Sequence, residues 1–224
     1  MPTTTDDLVA LTRQTLDDVI EPYLLSDEAI VAALDRAQRE FVERTLCLQV
    51  HARPASLVTG ASLLWLDEDV LRVRSLTLDN RPLQLCSMRE MNMGYIVRDY
   101  GLRTQANWQD AVGTPEVAIT DAQDGALRLV PITTGDITLY LDAYIYPLLM
   151  SEGEDPAIPQ QWRSDLVSGA MVHLLLTRST NVFDPKGAEI WRQTWHRALA
   201  EAYAGIHRGQ RGAQTAQFNR NGVW

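Results

Sequence analysis

Between Pro159 and Thr180 the chain reads PQQWRSDLVSGAMVHLLLTRST, and after Asp165 it is apolar on nearly every side. Leu166, Val167, Ala170, Met171, Val172, Leu174, Leu175 and Leu176 point all round a helical cylinder instead of along one stripe, so several partners must cover this helix. Ile158-Pro159 gives it a sharp start, because proline suits a first helical turn and disfavours helix in the residue before it. At helical rise the stretch would reach about 30 Å, a membrane-like length. The uninterrupted apolar part, Gly169 to Leu176, contains His173 and is bounded by Ser168 and Arg178, which argues against a membrane span.

The rest of the chain must supply that cover. With 224 residues, 46% of them hydrophobic and 22% charged, it can bury a core of its own, as one domain or as a helical part carrying a strand-rich insertion. The net charge of -9 is the opposite of a nucleic-acid binder's basic footprint. Charge is uneven, however: Gly205 to Trp224 holds Arg208, Arg211 and Arg220 and no acid. Cys47 and Cys86 have no metal-site or redox-pair spacing, so reduced thiols in a cytosolic setting are expected. Met1 to Asp7 is polar and acidic, unlike a signal peptide.

In chain order, Leu8, Leu11, Leu16, Val19 and Ile20 recur at helical spacing, which predicts a helix over 8–20 capped by Asp6 or Asp7 and limited by Pro22. A second helix over 27–44 starts at an N-cap, Ser26, and carries the stripe Ile30, Ala33, Leu34, Ala37 and Phe41. Its opposite side, Asp35, Arg36, Arg39, Glu40 and Glu43, reads as a solvated charged face. From Thr45 to Pro147 the helical period gives way to strand-like runs at 46–52, 62–66, 70–78, 116–120, 127–130 and 137–144. Asp124-Gly125, Asp79-Asn80 and Thr134-Gly135-Asp136 supply turns between them. Ser87 to Met93 suggests a short helix, and Gly94 to Val112 a longer excursion of the functional kind. After the central helix, Asp184-Pro185 opens a last helix over 185–204 with Trp191, Trp195, Ala198, Leu199, Ala202 and Tyr203 on one stripe, and Gly205 is a natural terminator. Beyond it the Gly-, Gln-, Asn- and Arg-rich tail has no period.

The reading is therefore an α+β chain: a bundle of about four helices from 6–45 and 155–205, a β-rich insertion over 46–150, and an extended C-terminal arm over 206–224.

Enzymatic motifs are missing. No G-x-S-x-G elbow, P-loop, G-x-G-x-x-G, H-E-x-x-H or paired C-x-x-C occurs, and His51, His173, His196 and His207 stand in no catalytic context. Asp67-Glu68-Asp69 and Glu152, Glu154, Asp155 lack the alternating ligands and glycine of a calcium loop and read as solvated loops. His173 reads as a hydrogen-bonded core histidine, and the two tryptophans of the last helix as core. No catalytic residue, metal or cofactor is expected.

The order of landmarks carries a resemblance. Leu25-Ser26-Asp27-Glu28-Ala29-Ile30 opens the second helix and Asp35-Arg36-Ala37-Gln38-Arg39-Glu40-Phe41 continues it. Then follow Trp108, Gly113-Thr114-Pro115, Leu127-Arg128-Leu129-Val130-Pro131, Tyr146-Pro147, and Ile158-Pro159 with Trp162 and Leu166. Over roughly residues 6–204 this succession resembles the head-to-tail connector adaptor proteins in the neck of tailed bacteriophages. The resemblance implies a non-enzymatic virion protein, made in the host cytoplasm, that forms a twelvefold homo-oligomeric ring. Its partners would be the portal protein on one side and a tail or nozzle protein on the other, with double-stranded genomic DNA passing non-specifically through the lumen and no membrane involved. A tail-completion or tail-terminator ring is the alternative, and a nucleic-acid-binding regulator a more distant one. An acidic body suits passage without grip, since it avoids the affinity that neutralising phosphates brings. The arm would dock on the portal, with Arg208, Arg211 and Arg220 offered to carboxylates and Phe218, Val223 and Trp224 as burial anchors.

Overall fold

The computed structural model describes residues 4–93, 108–151, 153–178 and 181–220, with residues 209–220 described by their backbone alone. The chain divides into two compact units, one formed by Met1–Leu48 with Tyr146–Trp224 and one by Gln49–Ile145.

The first unit is helical. Helix α1, Thr5–Leu16, is capped by Thr4 and not by Asp6 or Asp7: the Thr4 hydroxyl accepts the Asp7 N–H, and the Asp7 carboxylate accepts the Thr4 N–H in return. It stops short of the expected residue 20 because Asp17 turns left-handed, with φ 58°. Helix α2, Asp27–Thr45, starts where the sequence predicts, on the Ser26 side chain. The central apolar stretch is not one long helix. A 3₁₀ segment, Gln160–Asp165, precedes helix α4, Leu166–Leu176 (α3 belongs to the other unit and is given below). Nine residues of α4 are buried, and α1, α2 and the last helix, α5, Pro185–Arg220, pack around it. Leu8, Ile30, Leu34, Phe41, Leu166 and Trp195 lie at the heart of this core.

Gly205 does not end α5. Glycine inside a helix costs about 1 kcal/mol relative to alanine, but the stripe continues beyond it. The Tyr203 and His207 rings lie 4.3 Å apart, and His207 Nε2 sits 3.1 Å from the Thr45 carbonyl oxygen. A Cβ on Gly205 would stand 3.4 Å from the Trp162 ring, an ordinary van der Waals distance.

The second unit is a sheet. Its strands are β1 Gln49–Leu57, β2 Leu63–Trp65, β3 Val70–Leu78, β4 Arg81–Cys86, β5 Val112–Gly113, β6 Val117–Gln123, β7 Ala126–Val130, β8 Ile132–Thr133 and β9 Ile137–Ile145. Seven of them form one nearly closed sheet in the order β1-β9-β3-β4-β6-β7-β2, and β5 pairs with β8 apart from it. Gln49 stands opposite Tyr144, so the strands by which the chain enters and leaves this unit are neighbours. Two of the expected turns are present: Asp79 and Asn80 both have positive φ between Leu78 and its partner Arg81, and Gly125, φ 69°, closes the β6–β7 turn. Thr134-Gly135 is a bend between β8 and β9, which do not pair with each other. Leu76, Leu127, Leu129, Leu139 and Leu141 fill the inside. A short helix, α3, Met88–Asn92, covers a smaller cluster of Cys86, Met91, Val117, Ile119 and Val130 on the outer side of β6 and β7.

This architecture corrects the expected fold class. The chain is a mixed α/β fold with a large, nearly closed seven-stranded sheet and, among the described residues, five helices, four of them seven residues or longer; it is not a helical bundle with a β-rich insertion and an extended tail. Two features of the sequence conceal this. Pro82 interrupts the run that forms β4, the strand joining the two halves of the sheet, and glycines at 205, 209 and 212 mask the continuation of α5.

Candidate functional site

Helix α2 organises the helical unit's surface. The charged face the sequence assigns to solvent is largely engaged: Asp35 accepts the Met150 N–H at 3.1 Å, the Arg39 guanidinium lies 5.4 Å from the Tyr146 ring centre, and Glu40 accepts the Trp195 indole N–H at 3.0 Å. Buried Gln38 donates to the Leu148 carbonyl and accepts the Ala157 N–H. Burial raises the Tyr146 phenol, and nearby Glu43 adds to the effect. These contacts fix residues 146–150 in an extended path with Leu148 87% and Leu149 73% exposed. Two adjacent leucines held outward by hydrogen bonds to the Leu148 carbonyl and the neighbouring Met150 N–H differ from a scattered surface leucine, since the fold spends polar groups on fixing this path.

A second apolar segment is held in the same way. Arg13, on α1 and almost fully buried, donates to Asp18 at 2.9 Å, to Asp27 at 2.6 Å and to the Leu25 carbonyl at 2.9 Å, with its guanidinium 3.9 Å above the Tyr23 ring centre. Asp18, also buried, accepts the N–H groups of Leu24 and Leu25. The loop 17–26 is thereby tied to α1 and α2, and it presents Val19, Leu24 and Ile20, the last 80% exposed. Sequence reading missed both clasps. Asp18 lies five residues after Arg13, and Asp27 fourteen, which are not helical spacings; the only signal was a run of large apolar residues on both sides of Pro22.

Where α2, α4 and α5 meet, His173 Nε2 is buried without a hydrogen-bond partner, 3.9 Å from the Glu40 oxygen that Trp195 already uses. The expected hydrogen-bonded core histidine is therefore half-buried and unpaired at that nitrogen; burial lowers its pKa, with Glu40 opposing and Arg36 reinforcing the shift. Trp195 is core, as predicted, while Trp191 is only half-buried.

In the sheet unit, β4 serves two neighbours in turn. Leu83, Pro82 and Arg81 pair with Leu76–Leu78 of β3, whereas Gln84–Cys86 pair in parallel with Val117–Ile119 of β6. The strands separate beyond Leu76, leaving a cleft of about 500 Å³ between Val70–Val73 of β3 and Leu85–Ser87. Leu66, Val70, Val73, Leu85 and Leu127 line it, with Arg72 and Glu90 at its rim. Burial pushes the Cys86 thiol at its edge up to about 11, and the carboxylates of Glu90 and Asp121 add to this.

Of the arm residues, Arg208 is exposed on α5, and Arg211, Phe218 and Arg220 lie along its helical continuation instead of on an extended strand. Val223 and Trp224 fall outside the described residues, as do Glu152 and most of the excursion over 94–112. Three of the acidic loop residues have cationic partners: Arg53 bridges Asp67 and Asp69 and holds the Asp69 carboxyl below its usual range, and Arg163 pairs with Asp155. Among the described residues no three His, Cys, Asp or Glu are grouped to hold a metal ion. No described helix is long and apolar enough to cross a membrane. No known protein family matches the chain, and no curated protein matches it either.

Proposed function

We propose that this chain is a head-to-tail connector adaptor of a tailed bacteriophage, a structural virion protein that assembles as a ring between portal and tail and leaves a lumen for double-stranded DNA. One observation carries the reading: two segments of the helical unit, around Ile20 and at Leu148-Leu149, are tied down by the buried polar groups Arg13, Asp18 and Gln38 and by Asp35, with large apolar side chains facing outward. A lone chain gains nothing from such surfaces, whereas a subunit buries them against its neighbours. The 36-residue helix α5 favours an adaptor over a terminator ring, which would be built mostly of strands. In this reading the portal-docking arm is the end of that helix, with Arg208, Arg211 and Arg220 supplying cations for the partner's carboxylates and Phe218, Val223 and Trp224 its apolar anchors. The net charge of -9 suits a lumen through which DNA slides.

Electron microscopy of the purified protein, alone and mixed with portal rings, tests the proposal. Rings seated coaxially on the portal are the expected image, and a chain that stays monomeric and unbound at micromolar concentration would end it. Deleting 209–224 is expected to leave a folded protein that no longer binds portals, because the described tertiary contacts of α5, through His207, lie before the cut.

A further inference from the structure

We propose that the cleft between β3 and β4 is completed by a strand from a second copy of this chain, its residues 146–150. This inference rests on the ring reading above and specifies how one subunit would hold the next.

The cleft lies between two strand edges. Val70–Ser75 of β3 pair with β9 on one side, and Gln84–Cys86 of β4 pair with β6 on the far side. Toward each other, neither segment has a strand partner among the described residues. Backbone N–H and C=O groups on such edges are a template for another strand, so an extended polypeptide matches the cleft in a way that a small molecule or a helix does not. Its apolar lining, Leu66, Val70, Val73, Leu85 and Leu127, asks for aliphatic side chains on that strand.

The chain itself carries a segment of this description. Residues 146–150 run without a turn or bend, and Pro147 keeps its own backbone and that of Tyr146 extended. Leu148 and Leu149 are exposed; the Leu148 carbonyl and the Met150 N–H are turned to Gln38 and Asp35, and among the described residues no partner occupies the Leu149 N–H, which leaves the Leu149 backbone to pair with one edge of the cleft. Five residues at strand rise cover about 16 Å, against about 20 Å for the six of Val70–Ser75, so the lengths agree. The other exposed apolar segment, 19–24, bends at residues 20–22 and again at 24, and cannot lie along a strand edge. A contact in which one surface of a subunit meets a different surface of the next is head-to-tail, the kind that closes into rings.

The test is a pair of cysteines, Arg72→Cys at the rim of the cleft and Leu149→Cys on the segment, in a Cys47→Ser, Cys86→Ser background. The two introduced cysteines replace exposed residues; Cys86 is buried, so the Cys47→Ser, Cys86→Ser background by itself must unfold and assemble as the wild type does before the cross-links are read. A short bis-maleimide is expected to give a ladder of covalent multimers from the double variant and none from Arg72→Cys alone, and hydrogen exchange at 70–75 is expected to slow on assembly of the wild type. A wild type that assembles while the double variant gives no ladder would overturn the strand insertion and leave the ring standing. A purely intrachain cross-link, or dimers from Leu149→Cys alone, would also overturn it, since the segment would then meet its own chain or its own counterpart. A wild type that is monomeric throughout would remove both proposals.

Discussion

Gly169 and His173 sit one turn apart on α4, and each fixes what the junction with α2 and α5 tolerates. A methyl on Gly169 would stand 2.8 Å from the Ala37 Cβ and 3.0 Å from the Trp195 ring, and neither neighbour is the free end of a flexible chain. Alanine's better helix propensity is worth about 1 kcal/mol, against an overpacking cost of about 1–3 kcal/mol. Gly169→Ala is therefore expected to destabilise by on the order of 1 kcal/mol, read as a lower urea midpoint with an unchanged slope. His173 has the opposite problem, a polar atom without a partner. Its pKa is lowered in the folded chain, chiefly by burial, so below its ordinary value near 6.5 the unfolded state binds the proton more readily. The stability this group contributes is present above that value and is lost as pH falls through the folded pKa. Urea midpoints measured from pH 7.5 downward should fall less steeply in His173→Leu than in the wild type, and identical slopes would show that the histidine is not the titrating group.

At the scale of elements, α2 was legible nearly to the residue because its stripe, its cap and its length agree. The all-round apolar character of α4 was legible as well. Its true start was not, since the choice between 3₁₀ and α over Gln160–Asp165 is made by packing and leaves no mark on periodicity. Leu174 is buried there, and Leu174→Ala should cost about 2–5 kcal/mol in denaturant unfolding; a cost under 1 kcal/mol would mean the core had collapsed around the cavity. The strand β4 could not be read because Pro82 breaks the local pattern, yet Pro82 stands opposite Thr77 in a pairing that lasts only three residues before the strand changes partner. The clasps that hold out Ile20 and Leu148-Leu149 were illegible for a related reason. Arg13 to Asp27 and Asp35 to Met150 are contacts made by tertiary folding, and the charges on α2 have the same spacing that a solvated face would have.

For the whole molecule, the decisive property is that the chain makes two compact units from three stretches of sequence. Composition told of a core large enough for this and of an acidic surface, but it could not tell that the strands amount to one sheet, because pairing is a relation between distant residues: Leu83 with Leu76, Ala118 with Leu129, Leu57 with Ile137. The sheet's own core is expected to make a 49–145 fragment fold alone, with a cooperative thermal transition followed by far-ultraviolet circular dichroism; a fragment without one would show that the unit depends on the helices. The pairing of Gln49 with Tyr144 has a consequence for how such a protein can diverge. Entry and exit side by side make the sheet unit a cassette: it can be excised and its flanks rejoined by a short linker, or exchanged for another module, without rethreading the helices. Variation in the sheet could then accumulate while the helical unit stays constant, and sequence similarity between relatives would be expected to break off and resume at those two crossing points.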